Sequence, residues 1–303
     1  MDSDLNDPVL HLAYELTNFE EIARYLMPHP QDMPGLDGID MFGGSLALNG
    51  SVGGDHLIFI DFKKRFDLAA RIARCTNEGR LDVVENLKRC ERMAAVALLD
   101  VSGHRVTDAF IAAMLHQAFL LGAIYELDMF GRVTKRLFEN LNARFYESSS
   151  EHKFVSLMYG EIAEDASFSF LSAAQPFPLV FSQKYDRIMD TQPELWPSYP
   201  PLGMLPSRHV TDRNQTASVL GWKDDYTMNR LVLEGAGDIL LLHTDGLVDH
   251  HNGDDYYYHG FLEQKLRSVK HQTAEEIFTA ITTDLLSFGR PSDDISLVVI
   301  KAS

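Results

Sequence analysis

Aspartates beside apolar runs are the residues of this chain best suited to do chemistry. Asp55 precedes HLIFI, Asp100 ends AVALL, Asp245 follows DILLLHT, and Asp293 and Asp294 precede ISLVVIK. If these strand ends converge, two unit charges about 4 Å apart repel by roughly 4 kcal/mol at an effective dielectric near 20. Such a cluster must be partly protonated or hold cations. Oxygen-only ligands without His or Cys suit hard ions, so the expected ions are Mg²⁺ or Mn²⁺.

Each of these aspartates, taken alone, also fits a turn or a strand cap. Asp and Gly are common turn residues, and the Asp-Gly pair in HTDGLVD fits a turn best of all. Only the convergence of the whole set would make a metal site. Spacing along the sequence therefore leaves both interpretations open.

The apolar periodicity predicts the elements that would position these carboxylates. Thr17 and Glu20 have capping-box spacing, which predicts an N-terminal helix that ends near Pro28. Two strands joined by a Gly-rich turn follow, then helices over 63–92, the strand AAVALL, and helices over 106–127 and 130–145. FVSLMYGEI, SFSFLSA, PLVFSQ, DILLLHT and ISLVVIK are predicted strands, and AEEIFTAITTDLLSF is a predicted helix. This order favours an α+β fold with antiparallel sheets over alternating β-α units.

Composition excludes some functions and favours an intracellular setting. The 303 residues carry a formal net charge of −17, which argues against nucleic acid as the main partner. The two cysteines are too few for a disulfide framework, and the acidic start MDSDLNDPVL lacks the basic region of a signal peptide. AFIAAMLHQAFLLGAIY is interrupted by His116 and Gln117, which predicts a buried helix rather than a membrane span. We therefore expect a cytoplasmic protein with no membrane partner.

Four blocks, in this order, resemble the signature blocks of the PPM-type metal-dependent serine/threonine phosphatases: SVGGDHLIFIDF, LLDVSGH, LLLHTDGLVD and PSDDISLVVIK. The bacterial SpoIIE-type branch is the most similar one, and the resemblance extends from about residue 20 to 301. It implies an α-β-β-α sandwich of two antiparallel sheets flanked by helices, with a two-metal centre at one end. The implied domains are a helical lead-in over 1–30 and a phosphatase domain over 31–303. A helical insertion at about 63–92 replaces the family's short hairpin.

Matched block by block, the resemblance also implies the site residues. The implied metal ligands are Asp55, Asp100, the carbonyl of Val101, Asp245 and Asp293. Asp100 would bridge two Mn²⁺ or Mg²⁺ ions, and Asp294 replaces Asp293 if the last block is read one residue later. Asp100 and Asp55 would be the catalytic pair.

The implied reaction is the hydrolysis of phosphoserine or phosphothreonine by a water activated between two ions about 3.5–4 Å apart. In this branch the substrate is often a small anti-sigma-factor antagonist in a partner-switching circuit. The N-terminal helix fits either a homodimer contact or packing against its own domain.

The chain departs from the family pattern in two of its motifs. Gly103-His104-Arg105 replaces the usual Gly-His-Gly, and Gln175 stands in SAAQPFP where the family has a histidine. Arg105 fits a contact to substrate phosphate or a solvated surface position. His104 fits a general acid or a structural cap, and His243 is predicted to be a hydrogen-bonded core residue.

Two other functions compete with an active metal-dependent phosphatase. A phosphatase-like domain that has lost turnover would act by binding a regulator, and the departures at Arg105 and Gln175 favour it. Retention of all four ligand aspartates argues against it. LLDVSG alone also fits a phosphatase with an aspartyl nucleophile, but that class carries a second acid where Ser102 stands.

Overall fold

A computed structural model describes residues 8–48, 53–103, 106–148, 153–208 and 218–303. Its strands are, in chain order, β1 (Ile39–Leu46), β2 (Asp55–Asp61), β3 (Met93–Val101), β4 (Val155–Ala163), β5 (Ser167–Ala173), β6 (Leu179–Ser182), β7 (Arg187–Ile188), β8 (Asn229–Val232), β9 (Ile239–His243), β10 (His251–Asn252), β11 (Asp255–Tyr256) and β12 (Ile295–Ala302). Its α-helices are α1 (Pro8–Arg24), α2 (Phe62–Arg65), α3 (Leu68–Asn77), α4 (Leu81–Cys90), α5 (Val106–Phe130), α6 (Lys135–Ser148), α7 (Asp245–Val248), α8 (Tyr257–Gly260), α9 (Leu262–Val269) and α10 (Ala274–Phe288).

Two five-stranded antiparallel sheets form the centre of the fold. The first sheet has the order β1-β12-β9-β6-β7, and the second has the order β2-β3-β4-β5-β8. Side chains such as Phe59, Leu98, Leu240 and Val298 fill the space between them. The predicted α-β-β-α class is confirmed.

Helices cover the outer face of each sheet. The core outside the second sheet joins its strands to α3, α4, α5 and α6, while α8, α9 and α10 cover the first sheet. In β2, Ile58 and Ile60 point to the helical side and Phe59 points between the sheets, as expected from the two-residue period of a strand. Both faces of β2 are thus buried, which explains its continuous apolar sequence.

The predicted strands and the helices over 63–92 are present, with two corrections near the N-terminus. The first helix begins at Pro8, so Thr17 lies inside it rather than at its start. The two strands around the Gly-rich turn do not pair with each other, because β1 pairs with β12 and β2 pairs with β3.

Helix α5 is only half buried, contrary to the prediction of a buried helix. One face, including Leu115 and Phe119, packs against β2, β3 and α6. The opposite face leaves Phe110, Met114 and Tyr125 exposed, and α1 covers part of it through a contact between Phe19 and Phe110. Within the described ranges, Asp108–Phe130 is the one helix long and apolar enough, by length and composition, to cross a membrane. The exposed apolar face of α5, in addition to its buried face, accounts for the high hydropathy of this helix.

Candidate active site

The register of the second sheet places two of the predicted site aspartates side by side. Asp55 begins β2 and lies directly opposite Asp100 near the end of β3. On the other side of Asp100, Ser156 is its partner in β4. The three polar side chains therefore form one row across three strands, and they face the same side of the sheet.

The first sheet brings the other aspartates to the same edge. Thr244 follows β9 and precedes Asp245, the first residue of α7. The Thr244 hydroxyl donates to Asp55 Oδ2 at 2.8 Å and accepts from the Ser296 backbone NH at 2.9 Å. One hydroxyl thus joins the start of β2 to β12, and the loop before β12 carries Asp293.

Asp293 and Asp294 have different roles in the structure. Asp294 is 3% exposed, and its carboxylate accepts backbone NH groups from Leu48 at 2.6 Å and Gly54 at 2.7 Å. Asp293 is exposed, and its Oδ1 accepts only the NH of its own neighbour among the described residues. Asp294 therefore holds the two strand ends together, while the carboxylate of Asp293 remains accessible.

Gly54 is required by the close approach of the β3 end. A Cβ at this position would lie 2.3 Å from the Gly103 carbonyl oxygen and 2.7 Å from that of Val101. Real Cβ atoms do not approach backbone oxygens this closely. The Gly54 carbonyl also accepts the Val101 NH at 3.2 Å, so the two segments are held in contact.

The carboxylates are close enough to change one another's protonation. Burial raises the pKa of Asp100 to about 7, and the charges of Asp245, Asp293 and Asp294 add to the rise. Burial, and then the charge of Asp100, raise the pKa of Asp55 well above its usual range. The pKa of Asp245 is raised first by burial and then by Asp293. Four of the predicted ligand carboxylates thus share one electrostatic environment.

The donor set fits hard divalent ions in its chemistry. It consists of carboxylate oxygens and the nearby Val101 carbonyl, and mutual repulsion gives it a cation preference. Within the described part of the chain, no three His, Cys, Asp or Glu side chains already have metal-binding spacing. Asp55 and Asp294 are instead turned toward their hydrogen-bond donors.

Ser156 and Gln175 form a hydrogen-bonded chain behind Asp100, which the sequence alone did not reveal. Gln175 is 4% exposed, and its amide NH₂ donates to the Ser156 hydroxyl at 3.0 Å. The Ser156 hydroxyl in turn donates to Asp100, with Oδ2 3.1 Å away and the backbone carbonyl oxygen 3.3 Å away as its two acceptors. The amide oxygen of Gln175 is buried without a partner in the described residues. Gln175 is therefore linked to the Asp100 carboxylate through Ser156.

Arg105, the departure in the Gly-His-Arg motif, and its neighbour His104 lie outside the described residues. Next to them, Lys153 Nζ donates to the Ser102 carbonyl at 2.7 Å and forms an ion pair with the buried Asp108. This contact ties the corner after β3 to the first turn of α5.

His243 is buried, as predicted, but only half of its hydrogen bonding is met. Its Nδ1–H donates to the Thr244 carbonyl at 3.1 Å, while Nε2 has no partner among the residues described. Burial lowers its pKa to about 4, so the ring is neutral near pH 7.

A protein-family model matches most of the chain. The family model of stage II sporulation protein E (SpoIIE) matches residues 91–303. The chain belongs to the SpoIIE family. This match confirms the prediction, made from the four sequence blocks, of a PPM-type phosphatase domain of the SpoIIE branch.

Solved structures share the fold of this SpoIIE-family chain at low identity. The SiaA-PP2C domain of Pseudomonas aeruginosa has a TM-score of 0.63 and 15% identity, covering 97% of this chain and 98% of that one. The RsbU and RsbW domains of Rv1364c from Mycobacterium tuberculosis give 0.62 and 17%, covering 91% and 64%. The phosphatase domain and regulatory fragment of SpoIIE from Bacillus subtilis give 0.60 and 16%, covering 88% and 64%. The chain thus spans less than two thirds of the last two structures. No match was found among curated proteins.

Proposed function

We propose that this chain is a metal-dependent phosphatase that hydrolyses phosphoserine or phosphothreonine on a regulatory protein. The observation that carries the proposal is the convergence of Asp55 and Asp100 from one sheet with Asp245 and Asp293 from the other. A fold needs a strong reason to keep four mutually repelling carboxylates at one edge, and binding of cations supplies that reason.

Asp55, Asp100, the Val101 carbonyl, Asp245 and Asp293 would hold two Mn²⁺ or Mg²⁺ ions. Bound divalent ions supply an activated water and offset the negative charge that builds on phosphoryl oxygens during hydrolysis. The accessible carboxylate of Asp293 and the engaged carboxylate of Asp294 favour Asp293 as the ligand.

The surrounding residues position these ligands. Ser156 orients the Asp100 carboxylate, and Thr244 orients that of Asp55. Asp294 fixes the start of β2 relative to β12 through the Gly54 NH. Preorganisation of this kind matters because ligand orientation typically changes metal affinity about 10–100-fold.

A phosphorylated side chain of another protein suits the exposure of the site. Asp293 is exposed and Asp100 is partly exposed, so the carboxylate edge opens to the surface rather than into an enclosed cavity. We propose a protein of the anti-sigma-factor antagonist class as the partner, on the basis of the SpoIIE family.

Turnover of p-nitrophenyl phosphate and a phosphoserine peptide, with and without Mn²⁺, tests the proposal. Asp100→Asn should lower metal-dependent turnover by more than ~100-fold, since loss of a ligand exceeds the effect of its supporting partners. Asp82→Asn is the matched control, because Asp82 is an exposed acid on α4.

Two results would contradict the phosphatase proposal. Turnover that persists in Asp100→Asn would place the reaction elsewhere. The absence of Mn²⁺-dependent turnover in the wild type, on both substrates, would support the regulator-binding module instead.

A further inference from the structure

A polar cleft of about 510 Å³ lies at the opposite end of β3 from Asp100. It opens between α4, the turn from α5 to α6, and strands β4, β5 and β8. Met93 at this end and Asp100 at the other are separated by seven strand residues, about 23 Å. We call it the arginine cleft, because Arg89, Arg92, Arg132 and Arg230 line it. It shares no lining residue with the carboxylate site.

Three of the four arginines have no ion pair within the described ranges. Arg92 pairs with Glu164 at 2.5 Å. Arg89, Arg132 and Arg230 are exposed, and no carboxylate of the described residues lies within ion-pair distance of them. Longer-range electrostatic interactions link Arg132 to Glu161 and Arg230 to Asp165. In a chain of formal net charge −17, three guanidinium groups without a direct ion pair around one cleft are nevertheless unexpected. Each presents a planar set of donors that matches the oxygens of a phosphate.

The acidic groups of the cleft are already engaged by other partners. Glu161 Oε1 accepts the Tyr159 hydroxyl at 2.7 Å, and Glu164 pairs with Arg92. Asp165 accepts the Ser167 backbone NH at 3.0 Å in its own turn. The free hydrogen-bonding capacity of the cleft is therefore mainly cationic.

The walls of the cleft are held rigidly together. Asn86 of α4 donates to the Phe130 carbonyl at 2.8 Å, and the Cys90 thiol donates to the Gly131 carbonyl at 3.4 Å. Gly131 has φ +70°, and a Cβ there would lie 2.4 Å from the Val83 carbonyl oxygen. The turn carrying Arg132 thus packs directly on the helix carrying Arg89.

We propose that the arginine cleft binds the phosphate group of a small phosphorylated molecule. Its volume falls within the 300–1,000 Å³ typical of small-molecule sites. Ser169 of β5 lies between Glu161 of β4 and Arg230 of β8 in the register of the sheet. Glu161 and Ser169 thus form the polar floor of the cleft, and Arg230 forms one cationic wall. Inorganic phosphate and a nucleotide such as AMP both carry the phosphate group that this chemistry requires.

Calorimetric titration of the full chain with inorganic phosphate and with AMP tests the proposal. EDTA is present throughout, so that phosphate cannot bind through ions at the carboxylate site. We expect saturable binding that weakens about tenfold in Arg132→Gln and in Arg230→Gln, the loss typical of a hydrogen bond to a charged group. Arg187→Gln, an exposed arginine of β7 in the other sheet, is the matched control and should bind as the wild type does.

The two probes distinguish the source of the phosphate. Tighter binding of AMP would identify a nucleotide-like ligand, and equal binding would show that phosphate alone is recognised. The proposal is overturned if neither probe binds in the millimolar range. It is also overturned if Arg187→Gln weakens binding as much as the cleft variants do. Because no activity is measured, failure of the phosphatase proposal leaves this test intact.

Discussion

Neutralising Asp100 should stabilise the metal-free protein while removing its response to Mn²⁺. The carboxyl has a pKa of about 7 in the folded chain, raised by burial and by three neighbouring acids, against an ordinary value of 3.8. Three pKa units correspond to ~4 kcal/mol of unfavourable interaction for the ionised group. Solvent that reaches this partly exposed side chain reduces the effect, so we expect Asp100→Asn to gain about 2–4 kcal/mol at pH 8.

The sign of the pH dependence is fixed by the direction of that pKa shift. Between pH 4 and 7 the folded protein holds a proton on Asp100 that the unfolded chain has lost. The stability of the metal-free wild type therefore falls as the pH rises through this window, and this contribution is absent in Asp100→Asn. The difference between the two proteins should be small near pH 4 and fully developed above pH 7.

Thermal melting in EDTA and in millimolar Mn²⁺ measures both effects. At about 2 °C per kcal/mol for a domain above 150 residues, Asp100→Asn should melt ~4–8 °C above the wild type in EDTA at pH 8. Mn²⁺ should raise the melting temperature of the wild type much more than that of the variant. The reasoning is refuted if Asp100→Asn melts at or below the wild-type temperature in EDTA, or if Mn²⁺ stabilises both proteins equally.

Three further predictions concern residues around the site. Ser156→Ala removes the hydroxyl that orients Asp100 and should weaken Mn²⁺ binding about tenfold, measured by the metal dependence of the melting temperature. Gly54→Ala should cost about 1–3 kcal/mol in a denaturant titration and abolish turnover, because its Cβ would meet two carbonyl oxygens. His116 of α5 is buried, and its Nδ1 lies 2.6 Å from Nε2 of His56, the residue after Asp55 in β2. Its pKa is lowered to about 4, chiefly by burial, so stability is lost as the pH falls from 6.5 toward 4, and His116→Gln should reduce that loss by up to ~3 kcal/mol.

Each of these predictions has its own comparison. Gly260→Ala is the control for Gly54→Ala, since a Cβ at Gly260 meets no atom within 4 Å. Unchanged Mn²⁺ affinity in Ser156→Ala would show that the Ser156 bond does not orient the ligand. An acid melting profile of His116→Gln that overlies the wild type would contradict its neutral state in the folded protein.

The sequence predicted the fold class better than it predicted the contacts around the aspartates. Strands such as β9 and β12 are continuous apolar runs that only a buried sheet explains. The prediction of a buried helix for α5 is wrong because a run of apolar residues is compatible with one buried face as well as with two. The Ser156–Gln175 chain could not be predicted, since it depends on the register between β3 and β4.

The sequence also did not show which of Asp293 and Asp294 is buried. Side chains of adjacent residues before a strand point to opposite sides, and the sequence does not indicate which of the two aspartates before β12 is buried. The backbone NH groups of Leu48 and Gly54, more than 200 residues earlier in the chain, hold the Asp294 carboxylate in the buried position.

The bond from the Gly54 NH to Asp294 joins positions 240 residues apart, and the Thr244–Asp55 bond joins positions 189 apart. Contacts of such sequence separation form late, since their loop-closure entropy must be overcome first. Neither half-molecule contains the complete carboxylate set. With the proposed metal site, Mn²⁺ affinity should therefore appear only at the final stage of refolding, and Mn²⁺ binding would then be a kinetic marker for the docking of the two sheets.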